Sequence, residues 1–572
     1  MFVKLQRSPT SSRVQVYLME SYRDEHGKPQ HRIVQRHGEL GELQAGEPGV
    51  LDRLRAEAAK ATAARTGPAR LVEVDLGRGR ADADRSVCYG QFVVEGLWKA
   101  LGMPGLFRRL GKEAGTKVDA EQVARMLVTA RVLAPASKLA TWNTRRAWFD
   151  PFDCSLKDVY DTLGLLDKWS WRVQAHVHRQ IGRTIGRDTS LVFYDVTNYW
   201  FETDEEDGFR MAGASKENRK DPIVAMGLLI DANGIPVAYR LFRGNTHDSK
   251  TLVPVLEELR TRYGLGRIVV VADKGLNGKT NLSALRANHD GWIVSQKVRG
   301  RVSKDITAHL RDPAGWVWDN DNSFAVKSYQ RVHTLDDGQE APEKVVLMWS
   351  RANAARDKAK REKLRVSVEH LVNHPGTYDS SNNYGRKRYV REDRVTGNGE
   401  VVTTHLSFDQ SRWDADEALD GYYAIITSET SLGDQEVIDH YRGLARIEES
   451  FRVLKTDLDG RPVHVRTQAH INAHFLTCFL ALTLLRLVQH ATRWQTTAPQ
   501  ARQALATATC TPLEKGLWVI DETTPWYKTI ETTWSVTLPT RYATIETIRQ
   551  YKRDIIANTT RTLQNHNPQT QP

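Results

Sequence analysis

The chain has 572 residues, a formal net charge of +11 and a pI near 9.3, which favours a polyanionic partner. Its four cysteines, Cys88, Cys154, Cys478 and Cys510, lie far apart, which excludes a thiolate zinc cluster and predicts a reducing, cytoplasmic setting. The N-terminus lacks a signal-peptide pattern, and the apolar stretch from Phe475 to Val488 is short for a membrane span. We therefore expect a soluble protein with no membrane partner and roughly three or four domains.

The first third of the chain is predicted to contain a small β unit and a helical domain. Residues 1–66 alternate apolar and polar side chains around a turn and then become rich in alanine, which predicts a β-hairpin unit followed by a helix. The Gly-, Arg- and Asp-rich residues 67–85 are typical of a linker. Residues 86–187 show helical periodicity. They include basic side chains close to an indole, namely Lys138, Arg145 and Arg146 beside Trp142. This pattern suits a DNA-binding domain, our working hypothesis, or a bundle with an ordinary solvated face.

Residues 188–300 predict an α/β core. The apolar runs and helical segments follow one another in the order β-β-β-α-β-α-β, and Asn233-Gly234 between the second and third runs predicts a hairpin. This order suits a mixed sheet and is also the order of the RNase H-like fold. A charged insertion domain is predicted over 301–418, and the core resumes over 419–490. Residues 491–572 form a C-terminal extension whose last ~15 residues, from Asn558, have the composition of disorder.

Two predicted strands of this core end at an aspartate. Asp195 closes the first strand, and Asp273 closes the strand RIVVVA. In an RNase H-like sheet these two strands are neighbours, so both carboxylates are expected at one edge. An acid at a strand end is commonly only a turn or cap residue, but two on adjacent strands are less readily explained in this way.

The segment YRGLARIEESFRVLK predicts a helix with one functional stripe. Tyr441, Glu448 and Lys455 follow at seven-residue spacing, which places them on one side of a helix. Glu449 lies about a third of a turn away, so Glu448 is the better candidate. Read alone, the segment also suits a surface helix with a Glu–Lys face.

Converging carboxylates predict a metal site. Three of them cannot all stay ionised side by side without a cation. Oxygen ligands suit Mg²⁺ or Mn²⁺, and two such ions about 4 Å apart support in-line phosphoryl displacement. We therefore predict Asp195, Asp273 and Glu448 as both the catalytic residues and the ligands of two such ions. The predicted chemistry is phosphodiester hydrolysis or transesterification.

The ordered set of motifs resembles bacterial insertion-sequence transposases of the DDE type. Asp195, Asp273 and Glu448 resemble their acidic triad, and Tyr441, Glu448 and Lys455 resemble the Tyr-Arg-Glu-Lys signature of one large group. Leu444 stands where that signature has its arginine, and Arg442 and Arg446 are the candidates for its role. The stretches DVTNYWFE, GASKENRKDP, GNTHDSKT and INAHFLTCFLAL are also similar to the family, so the resemblance covers about residues 85–490.

The resemblance implies a set of DNA contacts. Tyr441 and Lys455 would contact phosphates near the scissile bond. Arg452 either reaches the same backbone or forms a helix ion pair with Glu448. Lys216 and Arg219 form either a DNA-facing loop or a solvated turn. Related enzymes hold a flipped base in the insertion domain, and three tryptophans here either do so or fill the insertion's core, namely Trp316, Trp318 and Trp349.

The implied function is cut-and-paste DNA transposition in a bacterial cytoplasm, in association with the nucleoid. The partners would be double-stranded DNA, both the terminal inverted repeats of the element and the target, and the enzyme would act as a homodimer on DNA. One alternative is an RNase H-like nuclease that hydrolyses without joining. Another is a degenerate relative that only binds DNA, acting as a repressor.

Overall fold

Two separate units divide the chain, Met1–Arg80 and Ala81–Pro572. The computed structural model describes residues 1–7, 13–23, 29–66, 85–213, 220–299, 304–335, 338–378, 385–396, 402–513 and 516–565. Apart from Arg85, the linker predicted over 67–85 lies outside these residues. The boundaries predicted at residues 187, 300, 418 and 490 all fall within the second unit and stay predictions.

The first unit is a three-stranded antiparallel sheet with two helices. Its elements are β1 (Phe2–Arg7), β2 (Val14–Arg23), β3 (Pro29–Glu39), α1 (Leu40–Gly46) and α2 (Val50–Thr66). Its small core is formed by Val16, Val50 and Leu54. The predicted hairpin and helix are therefore present, and a third strand and a second helix accompany them.

A short strand and five helices follow, in the region for which the sequence predicts helices. They are β4 (Val87–Cys88), α3 (Gln91–Ala100), α4 (Met103–Ala114), α5 (Ala120–Leu133), α6 (Lys138–Asn143) and α7 (Leu156–Ile185). A capping box at Ser155 starts α7, and Gly186, with a φ of 68°, ends it. Helices α3, α5 and α7 contribute to one apolar core that continues into the rest of the second unit.

A nine-stranded mixed sheet forms the centre of the second unit. Its first five strands are β5 (Leu191–Trp200), β6 (Ile223–Asp231), β7 (Pro236–Arg243), β8 (Val269–Ala272) and β9 (Gly291–Gln296). Strands β5, β6 and β7 are neighbours in antiparallel pairs, and the predicted Asn233-Gly234 hairpin, where Gly234 has a φ of 81°, joins β6 to β7. Strands β8 and β9 continue the sheet in parallel beside β5. Helices α8 (Leu252–Tyr263) and α9 (Lys279–Ala287) contribute to the apolar layer on one face.

One part of the predicted insertion extends this sheet, and another part forms a small sheet and core of its own. It contains α10 (Lys304–Arg311), β10 (Val317–Trp318), β11 (Phe324–Thr334), β12 (Glu340–Ser350), α11 (Arg351–Asn373), a hairpin of β13 (Val390–Thr396) and β14 (Val402–Phe408), and α12 (Gln410–Glu417). Strand β15 (Tyr422–Thr427) then pairs with both β12 and β9. The sheet order is β10-β11-β12-β15-β9-β8-β5-β6-β7.

The Tyr441–Lys455 segment is not the single regular helix that its spacing predicts. Helix α13 (Asp434–Arg442) ends at Gly443, α14 (Ala445–Arg452) follows, and a π-helical turn occupies Val453–Asp457. A Cβ atom on Gly443 would lie 2.4 Å from the Phe193 ring, so only glycine permits this close approach. Glycine also weakens a helix interior, which accounts for the break.

A buried helix and a C-terminal extension complete the unit. They comprise α15 (Gln468–Ala491), α16 (Ala498–Ala506), β16 (Thr509–Pro512), β17 (Leu517–Ile520), α17 (Pro525–Trp534), β18 (Tyr542–Thr544) and α18 (Ile545–Gln564). In the described part of the chain, α15 alone is long and apolar enough to cross a membrane, but 94% of its most apolar window is buried inside the protein.

The tail predicted to be disordered from Asn558 is helical as far as Gln564, which corrects that prediction. Thr559 and Leu563 are fully buried, so packing overrides the polar composition. The remainder, residues 566–572, lies outside the described residues.

Candidate active site

Sheet register brings the two predicted aspartates together. Phe193 on β5 pairs with Val271 on β8, and Val271 pairs with Ile293 on β9. Side chains two residues further on point to the same face. Asp195, Asp273 and Ser295 are therefore neighbours on one face, and the Ser295 hydroxyl donates to Asp273 Oδ1 over 2.8 Å.

The sequence predicts Asp195 at the end of its strand, but in the structure Asp195 lies within the strand. Strand β5 continues to Trp200 because it pairs with β6 over this whole length. The parallel pairing with β8 stops at Phe193, so Asp195 lies where these two strands separate. A carboxylate at such a point faces a crevice in which a ligand can reach it.

Helix α14 and the turn after it run along β5 on the same face. At one end Gly443 contacts the ring of Phe193, and at the other the Lys455 ammonium lies 5.5 Å from the centre of the Tyr199 ring. The six residue steps from Phe193 to Tyr199 span about 20 Å of strand, and the twelve from Gly443 to Lys455 span about 18 Å of helix. Corresponding points of the two segments therefore lie side by side. Glu448 therefore comes to the part of the sheet that carries Asp195.

The neighbouring carboxylates Glu448 and Glu449 have different surroundings. Glu448 is exposed and makes no hydrogen bond or ion pair with any other described residue. Glu449 faces the opposite side, where its Oε2 lies 3.3 Å from the buried guanidinium of Arg486. Of the two, Glu448 is thus the one that is available to a ligand.

Tyr441 connects the helical segment to the aspartates. Its hydroxyl donates to Asp273 Oδ1 over 3.4 Å. Burial, together with the negative charges of Asp273 and Glu448, raises the pKa of Tyr441 to about 12. The phenol therefore keeps its proton at neutral pH and remains a hydrogen-bond donor.

The donor atoms suit a hard divalent cation by type, since all three acids offer carboxylate oxygens. Within the described ranges, however, no group of three or more His, Cys, Asp or Glu side chains is arranged to hold a metal ion. Asp195 and Asp273 are register neighbours, whereas Glu448 approaches from the helix above them. The three carboxylates thus share one face of the sheet without forming a closed ligand cluster.

The predicted DNA-contacting arginines lie in three different places. Arg442 is 59% exposed and turned towards the insertion strands, 6.0 Å from the Phe324 ring centre. Arg446 donates to the backbone oxygen of Ala232 in the β6–β7 hairpin. Arg452 lies near Glu449 (3.9 Å) and Asp457 (3.6 Å), so the ion pair considered with Glu448 is not formed.

The structure describes the position of the expected signature arginine but not the predicted DNA-facing loop. Leu444 is partly buried and packs against the core, so the position of the signature arginine is apolar here. Lys216 and Arg219 lie outside the described residues.

Of the three insertion tryptophans, Trp318 is the exposed one. It lies on the edge strand β10 with 47% of its surface exposed. The indole of Trp316 donates to the Asp312 oxygen, and that of Trp349 donates to the Asp420 oxygen. Trp316 and Trp349 are therefore engaged in local structure, and Trp318 packs against Trp349, with 5.3 Å between the ring centres, while about half of its surface stays exposed.

Lys138, considered from sequence as part of a basic DNA-facing surface, is buried with only 4% of its surface exposed. Arg145 lies over the Trp142 ring at 4.2 Å and is also partly buried, whereas Arg146 is exposed. Beside Lys138, Arg131 is buried too and donates to the oxygens of Leu458 and Asp459, just after the π-helical turn. Arg131 thus supports the segment that follows Lys455, and neither Arg131 nor Lys138 is exposed to a surface ligand.

We expect Lys138→Met to stabilise the fold by about 2 kcal/mol near neutral pH, because an unpaired buried charge is replaced by an apolar chain. Burial lowers the pKa of Lys138 to about 7 from 10.5. Between these values the unfolded chain binds more protons, so wild-type stability rises with pH across this window and falls as pH drops towards 7. Urea unfolding of both proteins from pH 7 to pH 10 measures this. An equal pH dependence in the two proteins would contradict the assignment.

A comparison with protein-family models places the site in a known family. Residues 186–484, just over half of the chain, match the family described as the transposase DDE domain. The chain belongs to the DDE transposase family. The matched range includes Asp195, Asp273 and Glu448, whereas Arg131, Lys138 and Trp494 of this transposase lie outside it.

Comparisons with individual proteins add little. One solved structure similar to this transposase is the piggyBac transposase synaptic complex with hairpin DNA. The two are 8% identical, with a TM-score of 0.35, and the match covers 77% of this chain and 76% of the other. No curated protein matches the sequence.

Ser295 is the site residue that sequence reasoning missed in this transposase. It follows the apolar run GWIV on β9 in the same way that Asp273 follows VVVA on β8. A rule that collects polar residues at the ends of adjacent parallel strands would have found it. A hydroxyl alone carries too weak a signal to stand out among the other serines.

Proposed function

We propose that this DDE transposase performs cut-and-paste transposition of an insertion sequence. It would bind the terminal inverted repeats, cut at the ends and join the 3′-hydroxyls to target DNA. The observation that supports this most is the register of Asp195 with Asp273 beneath the helix that carries Glu448. We also propose an RNase H-like core for this sheet, since in the order β7-β6-β5-β8-β9 strand β6 alone is antiparallel to the other four.

In this proposal Asp195, Asp273 and Glu448 hold two Mg²⁺ or Mn²⁺ ions. Such ions, when bound, activate a water or a 3′-hydroxyl and stabilise the leaving oxygen. Ser295 and Tyr441 orient the Asp273 carboxylate through the hydrogen bonds to its Oδ1. Fixing that carboxylate in advance lowers the cost of assembling the site.

The groups around the acids fit a DNA backbone. Lys455, one of the signature positions, lies beyond Glu448 along β5, where a phosphate next to the scissile one would run. Arg442 and Arg452 are each 53–59% exposed and lie on either side of Glu448 in sequence. Because Arg446 lies at the β6–β7 hairpin, on the other side of α14 from Glu448, and Leu444 is packed, we propose Arg442 as the replacement for the signature arginine.

Strand transfer requires two ends held together, so we propose a homodimer on DNA. We also propose a bacterial cytoplasmic location at the nucleoid, in keeping with the positive charge and the absence of paired cysteines.

A joining assay with pre-cut ends tests the proposal. With DNA ends of the element and a target plasmid, we expect joined products that need Mg²⁺ or Mn²⁺ and disappear with a chelator. Cleavage without joining would instead indicate the nuclease alternative. End-specific binding without either reaction would indicate the repressor.

Tyr441→Phe should lower the cleavage rate by about tenfold, since a hydrogen bond to a charged carboxylate is lost. The unfolding midpoint should stay the same, because the phenol ring keeps its packing. The measurement is a single-turnover cleavage rate beside a urea unfolding curve, with the exposed Tyr160→Phe as control. An unchanged rate would show that Tyr441 does not orient Asp273.

A further inference from the structure

A pocket lies on the other side of α14 from Glu448. It has a volume of about 290 Å³ and is lined by Asn233, Gly234, Arg446, Glu449, Arg486 and Trp494. This volume is at the lower end of the range of about 300–1,000 Å³ for small-molecule sites, so it suits a single ring system. The opposite sides of a helix are about 10 Å apart, which places the pocket within reach of a DNA strand bound at the acids.

The loop that presents Trp494 is held in an unusual conformation. Arg493 and Trp494 have φ values of 51° and 58°, a region that bulky residues rarely adopt. The conformation is fixed from the end of α15, where the Trp494 amide donates to the Gln489 oxygen over 2.7 Å. Yet 43% of Trp494 is exposed, so this local strain does not serve burial of the ring.

The polar groups of the pocket are only partly matched to one another. Arg486 is 1% exposed, and its charge is balanced by Glu449 at 3.3 Å. Arg486 also donates to Ser450 and Gln489, while its Nε–H has no acceptor in the described structure. Arg446 reaches the Ala232 oxygen but forms no ion pair with a described carboxylate. The pocket therefore offers one unbalanced cation, one carboxylate and a partly exposed indole, with the Arg486 guanidinium 5.8 Å from the centre of the Trp494 ring.

We propose that this pocket binds one unpaired nucleobase of the DNA substrate. The base would stack on Trp494 and turn its N–H groups towards Glu449, and its phosphate would lie at Arg446 on the rim. Stacking on an aromatic face suits any base. A phosphate inside the pocket would meet Glu449, so the backbone belongs outside. The inference rests on the proposed function for its substrate, DNA, and adds where an unpaired nucleotide is held.

The test measures binding to a short duplex with a single-stranded overhang that contains 2-aminopurine, whose fluorescence falls when it stacks. The wild-type protein should quench the fluorescence and bind this DNA more tightly than the same duplex with a blunt end. Trp494→Ala should weaken binding to the overhang DNA by about tenfold and abolish the quenching, while Trp494→Phe keeps most of both. Trp171→Ala, at another tryptophan with 41% exposure, is the matched control.

An abasic site in the overhang separates the base from the backbone. If the base occupies the pocket, Trp494→Ala should have no further effect on abasic DNA, because the partner of the indole is already gone. Equal losses for blunt, overhang and abasic DNA would overturn the proposal, as would quenching that survives in Trp494→Ala. Active end joining with an unaffected Trp494→Ala protein would remove this inference alone. Failure of the wild type to bind any DNA would remove the proposed function as well.

Discussion

Replacing Glu448 by Gln should abolish metal-dependent cleavage and leave DNA binding intact. The amide keeps the size of the side chain but removes the charge that would hold a cation beside Asp195 and Asp273. The expected loss in cleavage rate is about 10³-fold, as found when a main electrostatic contributor to a transition state is removed. The measurement is the single-turnover rate on DNA with the element's ends, beside an equilibrium binding curve on the same DNA.

Glu449→Gln provides the matched control on the next residue of the same helix. Glu449 pairs with the buried Arg486 and faces the pocket proposed for the unpaired base, so its loss should lower stability and weaken DNA binding. At saturating DNA, the cleavage rate per folded molecule should stay close to that of the wild type. If Glu448→Gln cleaves as fast as the parent, Glu448 is not part of the active site. If Glu449→Gln alone loses activity, the functional carboxylate has been assigned to the wrong neighbour.

Asp231→Asn should lower the free energy of unfolding by about 3–5 kcal/mol, because it leaves a buried charge without a partner. Arg187 Nε lies 3.1 Å from Asp231 Oδ2, and both side chains are 1% exposed. The asparagine oxygen can still accept the hydrogen bonds that Asp231 Oδ1 accepts from the amides of Asn233 and Ile235. The hairpin turn is thus preserved, and the change reports mainly on the charge. Urea unfolding measures it.

The double variant R187M–D231N is the control for this prediction. Methionine removes the unpaired charge and asparagine keeps the hydrogen bonds to the hairpin amides, so most of the stability lost in D231N should return. Asp161→Asn, in an ion pair whose side chains are 42–81% exposed, should have little effect. If D231N unfolds like the wild type, the Arg187 charge is compensated elsewhere, and the buried pair is not important for stability.

Regular elements with strong patterns were predictable from the sequence. The strands around Asp195 and Asp273, the Asn233-Gly234 hairpin and helices α8 and α9 are all found where the pattern places them. The role of the insertion in the sheet was not predictable, because the pairing of β12 with β15 joins residues far apart in sequence. Periodicity gives the face of a strand but not its neighbour.

The site shows the same division between local pattern and long-range packing. Helical spacing favours Glu448 over Glu449, and in the structure Glu448 is exposed while Glu449 pairs with Arg486; the catalytic role of Glu448 stays a prediction. The spacing did not reveal the break at Gly443 or the π-helical turn, since both depend on how the segment packs against β5. The prediction that Lys138 belongs to a basic surface is wrong for a related reason, because composition does not show whether a cation is buried.

Strand β15 connects the insertion strands to the strand that carries Ser295. Its residue Ile425 pairs with Ser295, and on its other side with Val346 of β12. A continuous ladder of backbone hydrogen bonds thus runs from the insertion strands to the serine that holds Asp273. Removing the insertion strands would leave β15 as an unpaired edge of the sheet, next to the strand that carries Ser295, and an unpaired edge of this kind promotes aggregation.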